Sequence, residues 1–196
     1  KRATADDGPD WPNPPWSTLL LRSLLSNDEF KNQFINTFAD RLNSIYLPEI
    51  VIEKMEEIED VYLPNVKDHI IKWDFHNKSL EKWVHEIADM KEFAKERPKF
   101  VRKHIIDHFN LRGSINLQIK MNEGGYVKVN TLNIEKYDKT WNGFYFKDIP
   151  ISIEASAKQG YRFVGWEGTT ETPDKVLKII PNNESIYLKA VFNKLN

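Results

Sequence analysis

The hydrophobic period of this chain changes once, at Gly113, and that change limits the folds open to it. Before Gly113 the large apolar residues recur at three- and four-residue steps. Phe30, Phe34 and Phe38 fall four apart, with Ile35, Leu42 and Ile45 beside them. Such spacing lines one face of a helix. After Gly113, Ile115, Leu117, Ile119 and Met121 alternate, as in a strand with one buried face. The expectation is an α+β chain with three parts. Residues 1–15 form an extended lead-in, 16–113 an all-helical unit of about six helices, and 114–196 a small, mostly antiparallel β-sheet module.

The helical unit divides at its caps and prolines. Ser26 and Glu29 read as a capping box in front of the phenylalanine helix. The preceding leucines, 19–21 with Leu24 and Leu25, read as a short, largely buried helix. Pro48 suits the first turn of a third helix carrying Ile52, Met55 and Ile58 inward and Glu53, Glu56, Glu57, Glu59 and Asp60 outward. Pro64 is expected to restart the chain for a fourth helix with Val66, Ile70 and Trp73. Ser79 is the expected N-cap of a fifth, with Leu80, Trp83, Ile87, Met90 and Ala94. Pro98 then opens a sixth with Val101, Ile105 and Phe109, and Gly113 stops it.

In the β module, the turn at 122–125 between 115–121 and 126–130 predicts a hairpin. Further strands are expected at 144–148, 151–155, 161–167, 176–180 and 185–192, with turns at 158–160, 168–170 and 181–183. The join to the helical unit is too short for a flexible linker, so the two are expected to pack together.

Composition excludes several functions. Lys and Arg number 17 against 20 Asp and Glu over 1–113, and 11 against 9 over 114–196. Neither part has the basic excess that phosphate-backbone binding needs, so no nucleic-acid partner is expected. The absence of cysteine removes thiol nucleophiles, cysteine metal sites and disulfides. No apolar run reaches the roughly 20 residues of a membrane span. The chain opens on Lys1 rather than Met, and the expectation is a piece of a longer protein.

Few residues carry chemistry. Asp6, Asp7 and Asp10 could bind a divalent cation, but they sit in a Pro- and Gly-rich tail with no strand before them, which favours a solvated tail pinned at most by Trp11 and Trp16. His104 and His108 are four apart on one helix face, a metal-ligand spacing without the intervening glutamate of a hydrolase motif. No nucleophile elbow, phosphate loop or dinucleotide fingerprint is present. No catalytic or metal-ligating residue is therefore assigned. The aromatics of the β module either fill its core, the favoured reading, or bind carbohydrate or protein. Trp141, Tyr145 and Trp166 are the candidate binding residues, on the condition that they share an open face.

Two family resemblances rest on longer stretches. P-x-W-S-T-L-L-L-R-S-L-L-S-N-D-E-F-K-N-Q-F-I-N-T-F-A-D-R-L-N, from Pro14 to Asn43, resembles the C-terminal helical part of CotH-type spore-coat kinase-like proteins. I-I-K-W from Ile70 and F-A-K-E-R-P-K-F-V-R-K-H-I from Phe93 follow in the same order. The resemblance implies an atypical kinase-like parent using ATP and Mg²⁺ on a protein substrate or surface component. It also implies a bacterial surface, secreted or spore-coat location, with the nucleotide and metal sites upstream of Lys1. No catalytic residue of that family maps onto this chain, so the piece itself needs no cofactor and should be silent. G-Y-V-K-V-N from Gly125, W-N-G-F-Y from Trp141, G-Y-R-F-V-G-W from Gly160 and L-K-A-V-F from Leu188 are similar to bacterial surface repeat modules of the divergent internalin B-repeat kind. Those serve as spacers or binding modules.

Overall fold

A computed structural model describes residues 15–73, 79–134 and 140–195. Asp6, Asp7, Asp10, Trp11 and His76 lie outside the described residues. The class is α+β. The elements run α1 (Leu19–Leu25), α2 (Asp28–Leu42), α3 (Pro48–Trp73) and α4 (Leu80–Phe109), then β1 (Ser114–Met121), β2 (Gly125–Val129), β3 (Leu132–Ile134), β4 (Trp141–Phe146), β5 (Ile151–Ala157), β6 (Tyr161–Gly168), β7 (Val176–Ile179) and β8 (Ser185–Lys194).

Among the described residues there are four α-helices, not about six, because Pro64 and Pro98 lie inside helices. An interior proline removes one backbone hydrogen bond and costs about 3 kcal/mol. Starting a new helix would instead require a second costly nucleus. The apolar stripe also runs straight through both prolines. Met55, Ile58, Tyr62, Val66 and Ile70 keep three- and four-residue steps past Pro64, and Pro98 is itself a buried member of the stripe from Ala94 to Ile105.

Three caps differ from expectation or sharpen it. Ser26 ends α1, its Oγ donating to the Ser23 carbonyl at 2.7 Å. Asn27 caps α2 instead, its Oδ1 accepting from the Phe30 N–H at 2.9 Å. At the end of α4, Asn110 takes φ +52° and the Leu111 N–H returns to the Ile106 carbonyl at 3.0 Å. That is a Schellman closure, so Asn110 and not Gly113 stops the helix. Ser79 does cap α4, accepting from the Lys82 N–H at 3.1 Å. Helix α1 buries none of its residues, so it is not the largely buried helix expected, and Trp16 is 77% exposed rather than pinned.

The chain divides into two compact units. One comprises the described residues up to Asp40 together with those from His104 onward; the other is Arg41–Lys103. In the second unit, Lys91 of α4 reaches Glu59 at 2.8 Å and Glu56 at 3.3 Å on α3. This partly neutralises the acidic side of α3. The Arg102 guanidinium donates to the Leu42 carbonyl and Asn43 Oδ1, both at 3.3 Å, and its burial pushes its pKa down.

In the first unit the strands form two four-stranded sheets, ordered β4-β1-β8-β6 and β3-β2-β5-β7. Pairing is antiparallel except for β1 with β8. The expected hairpin of β1 with β2 does not form, because the two strands belong to different sheets. Alternation records which face is buried but not which strand is the partner. The turn between them instead crosses over Phe192 of β8: a Cβ on Gly125 would lie 2.2 Å from that ring. The core comprises Ile115, Leu117, Ile119 and Met121 from β1, Ile151, Ile153 and Ala155 from β5, and Ile186, Leu188, Ala190 and Phe192 from β8.

Candidate functional site

The aromatic residues singled out from sequence do not share an open face. Tyr145 is 1% exposed and Trp166 is 2% exposed, both in the core. The Trp166 indole N–H donates to the Asp174 carbonyl at 3.0 Å, and its ring meets Phe163 edge-on at 5.6 Å. Trp141 is half-buried on β4. Its ring fills the space beside Gly143, where a Cβ would come within 2.2 Å. Packing accounts for all three. His104 and His108 both lie on the exposed side of α4, and the His108 ring packs edge-on against Phe109. Among the described residues, no three His, Asp or Glu side chains come together in a way that would hold a metal ion.

Two features that the sequence reading missed are better formed. The first is centred on Asp40, which is 2% exposed on α2. Ile35 and Ala39 turn the same helix face inward, which carries Asp40 with it. Its carboxylate accepts from the Tyr145 hydroxyl at 2.8 Å, the Thr131 N–H at 2.9 Å, the Thr131 hydroxyl at 2.5 Å and the Asn130 amide at 3.4 Å. Asn130 and Thr131 are the two-residue turn joining β2 to β3. Asn130 adopts φ +47°, which primed hairpin turns require and asparagine tolerates. Nearby, Asn36 donates to the Pro150 carbonyl at 2.7 Å. The buried carboxylate thus gathers donors from β4 and from the turn between β2 and β3, which makes this cluster a structural clasp. The signal available in the sequence was an aspartate next to an apolar helical stripe.

The second is a groove of about 860 Å³ between α3 and α4 in the Arg41–Lys103 unit. Met55, Ile58, Tyr62, Ile70, Trp83 and Met90 line it, with Glu59, His69, Lys82 and Glu86 among them. Two helices alone cannot cover a stripe this long, so the apolar side chains stay in reach of solvent.

The surface of the first unit is tied by ion pairs. The Arg112 guanidinium donates to Asp148 through Nε at 2.8 Å and through Nη2, holding the Asp148 carboxyl below its usual range and raising the arginine. Lys189 reaches Glu167 at 2.8 Å across β8 and β6, which raises the lysine. No described helix is long and apolar enough to cross a membrane.

Comparison with known proteins places the helical part. The family model described as CotH kinase protein matches residues 1–101, just over half of the chain. No curated protein and no solved structure matches it. The match begins at the lead-in and carries through α3 into α4, covering the stretches from Pro14 and Ile70 and most of the one from Phe93. The chain belongs to the CotH kinase protein family.

Proposed function

We propose that the helices of this chain are the C-terminal buttress of a CotH-type kinase-like domain, and that the strands after Gly113 are an accessory module carried behind it. The observation that carries this reading is the family match over residues 1–101. Phosphoryl transfer depends on a phosphate cradle and metal-holding carboxylates. In this reading ATP and Mg²⁺ are held by residues other than those described, and no catalytic step is assigned to side chains of this chain. The parent would phosphorylate a protein substrate or surface component at the bacterial surface, in secretion or in the spore coat.

The test is nucleotide binding. ATP·Mg²⁺ affinity is measured by calorimetry on this chain and on a longer form that includes the sequence encoded upstream of it. Binding by the longer form alone supports the buttress reading. Binding by neither removes it.

A second reading, a binding or structural surface module similar to internalin B-repeats, concerns the strands alone. It is favoured by one observation: on the outward side of the β4-β1-β8-β6 sheet, Phe144 is 46% and Tyr187 38% exposed.

A further inference from the structure

We propose that the groove between α3 and α4 is a dimer interface, covered in solution by the same groove of a second copy of this chain. The inference rests on neither reading above.

The groove is apolar and its side chains reach solvent. Ile58 is 50% exposed, Tyr62 62% and Met90 52%. Tyrosine and methionine are enriched where proteins meet. The charges in the wall select the partner. Lys82 and Glu86 stand one turn apart on α4, both line the groove, and both are exposed. Neither has an ion-pair partner among the described residues. Within one helix they are in the weaker order, lysine before glutamate. A wall that presents a cation and then an anion is matched by one that presents them in reverse. A second copy turned end for end does so, because a two-fold contact that brings residue i to residue j also brings j to i.

The register of the hairpin agrees. Helices α3 and α4 are joined by six residues and share the groove, so they run antiparallel, with Lys91 beside Glu59 at 2.8 Å. Seven residues onward from Glu59 is Val66, and seven back from Lys91 is Val84. Lys82 and Glu86 lie symmetrically about residue 84. A two-fold axis crossing both helices there sets Lys82 against Glu86 of the second copy, and Glu86 against its Lys82. On α3 the same axis passes Val66, the floor of the groove, and sets Tyr62 against Ile70 of the second copy. The charges of one helix thus fix an axis under which apolar residues of the other helix meet. The product is a four-helix arrangement of two hairpins, which closes the stripe that one hairpin leaves open. From Met55 to Ile70 the groove runs about 22 Å, and two helices side by side are about 20 Å wide. A footprint of about 450 Å² per copy lies at the low end for specific contacts, so a dissociation constant in the micromolar range is expected.

The test is sedimentation velocity of the whole chain from about 1 to 300 µM, the range in which such an interface associates. A reversible monomer–dimer equilibrium is expected. Tyr62→Glu should abolish it by placing a carboxylate in each half of the apolar centre. Lys82→Glu should weaken it about tenfold, since it sets like charges together twice. The double variant Lys82→Glu/Glu86→Lys should restore the wild-type constant, because the two charges still meet in reverse order. All three positions are exposed, and far-UV circular dichroism checks that each variant is folded. A chain that stays monomeric throughout the range overturns the proposal, whatever other protein covers the groove. So does a dimer that Tyr62→Glu leaves intact, or a double variant that associates no better than Lys82→Glu.

Discussion

Replacing Asp40 by alanine removes the centre of the clasp between α2 and the strands, and the structure gives the size of the loss. The Tyr145 hydroxyl is deep in the core, and the variant removes the carboxylate to which it donates. Taking away the acceptor of a buried hydroxyl costs about 1–3 kcal/mol. Thr131 is exposed, so its N–H and hydroxyl can turn to solvent. Those two bonds are worth only about 0.5–1.5 kcal/mol each. The 3.4 Å contact with Asn130 is too long to add much. The expected loss is about 3 kcal/mol, a large part of a domain stability of about 5–15 kcal/mol. Urea unfolding, followed by circular dichroism and by tryptophan fluorescence, measures it. Tyr145→Phe alone should cost about 1–2 kcal/mol, and the double variant should cost less than the sum, because both changes remove the same bond. A loss below about 1 kcal/mol for Asp40→Ala, or strict additivity with Tyr145→Phe, would refute the clasp.

The other expectations concern packing, helix continuity and charge. Gly125→Ala drives a methyl into the Phe192 ring, which is itself buried, and should cost about 1–3 kcal/mol in a urea titration, with partial recovery in the Gly125→Ala/Phe192→Leu double variant. Pro64→Ala restores a backbone donor inside α3 and should stabilise the protein by up to about 3 kcal/mol; an unchanged or lower urea midpoint would mean that the helix does not run through residue 64. Because Arg112 depresses the Asp148 pKa, the stability from this pair is present above the ordinary carboxylate value of about 4 and is lost as pH falls through the depressed value. The melting temperature should therefore fall more steeply below about pH 4 in the wild type than in Arg112→Gln; parallel curves for the two proteins would refute the linkage.

The sequence reading succeeded at several places where a local rule decides the outcome. Ser79 and Pro48 start their helices because capping and the first turn are settled within four residues. Strand alternation located β1, β5 and β8 because each buries a single face. It failed where the decision is made by partners distant in sequence. Pro64 and Pro98 are local breakers whose cost is outweighed by a continuous apolar stripe, which single-residue punctuation does not register. The β1–β2 turn looked like a hairpin because Gly124 and Gly125 suit one, yet these glycines are needed for the close pass over Phe192 and Tyr161. The candidate binding site shows the same limit. Aromatic content was visible, but whether Trp166 or Tyr187 faces solvent depends on strand parity and on the bulge between Phe163 and Gly165. The sequence reading passed over Asp40, whose partners Asn130, Thr131 and Tyr145 lie at least 90 residues away.

These long-range partners also bear on where the family's helical part ends. A boundary drawn at Gly113 follows the change in hydrophobic period, but the packing ties the two sides of it together. Ile35 and Ala39 are buried and Asp40 is bonded to Thr131 and Tyr145, while Asn36 holds the Pro150 carbonyl. A strand module cut free at Gly113 would lose these contacts, the Asp40 carboxylate that accepts from Tyr145 among them. The residues from Asp28 to Asp40 lie within the CotH match and yet complete the fold of the strands that follow it. The strand module is therefore built onto the CotH helices through α2, by buried bonds whose loss the Asp40 variant reads directly.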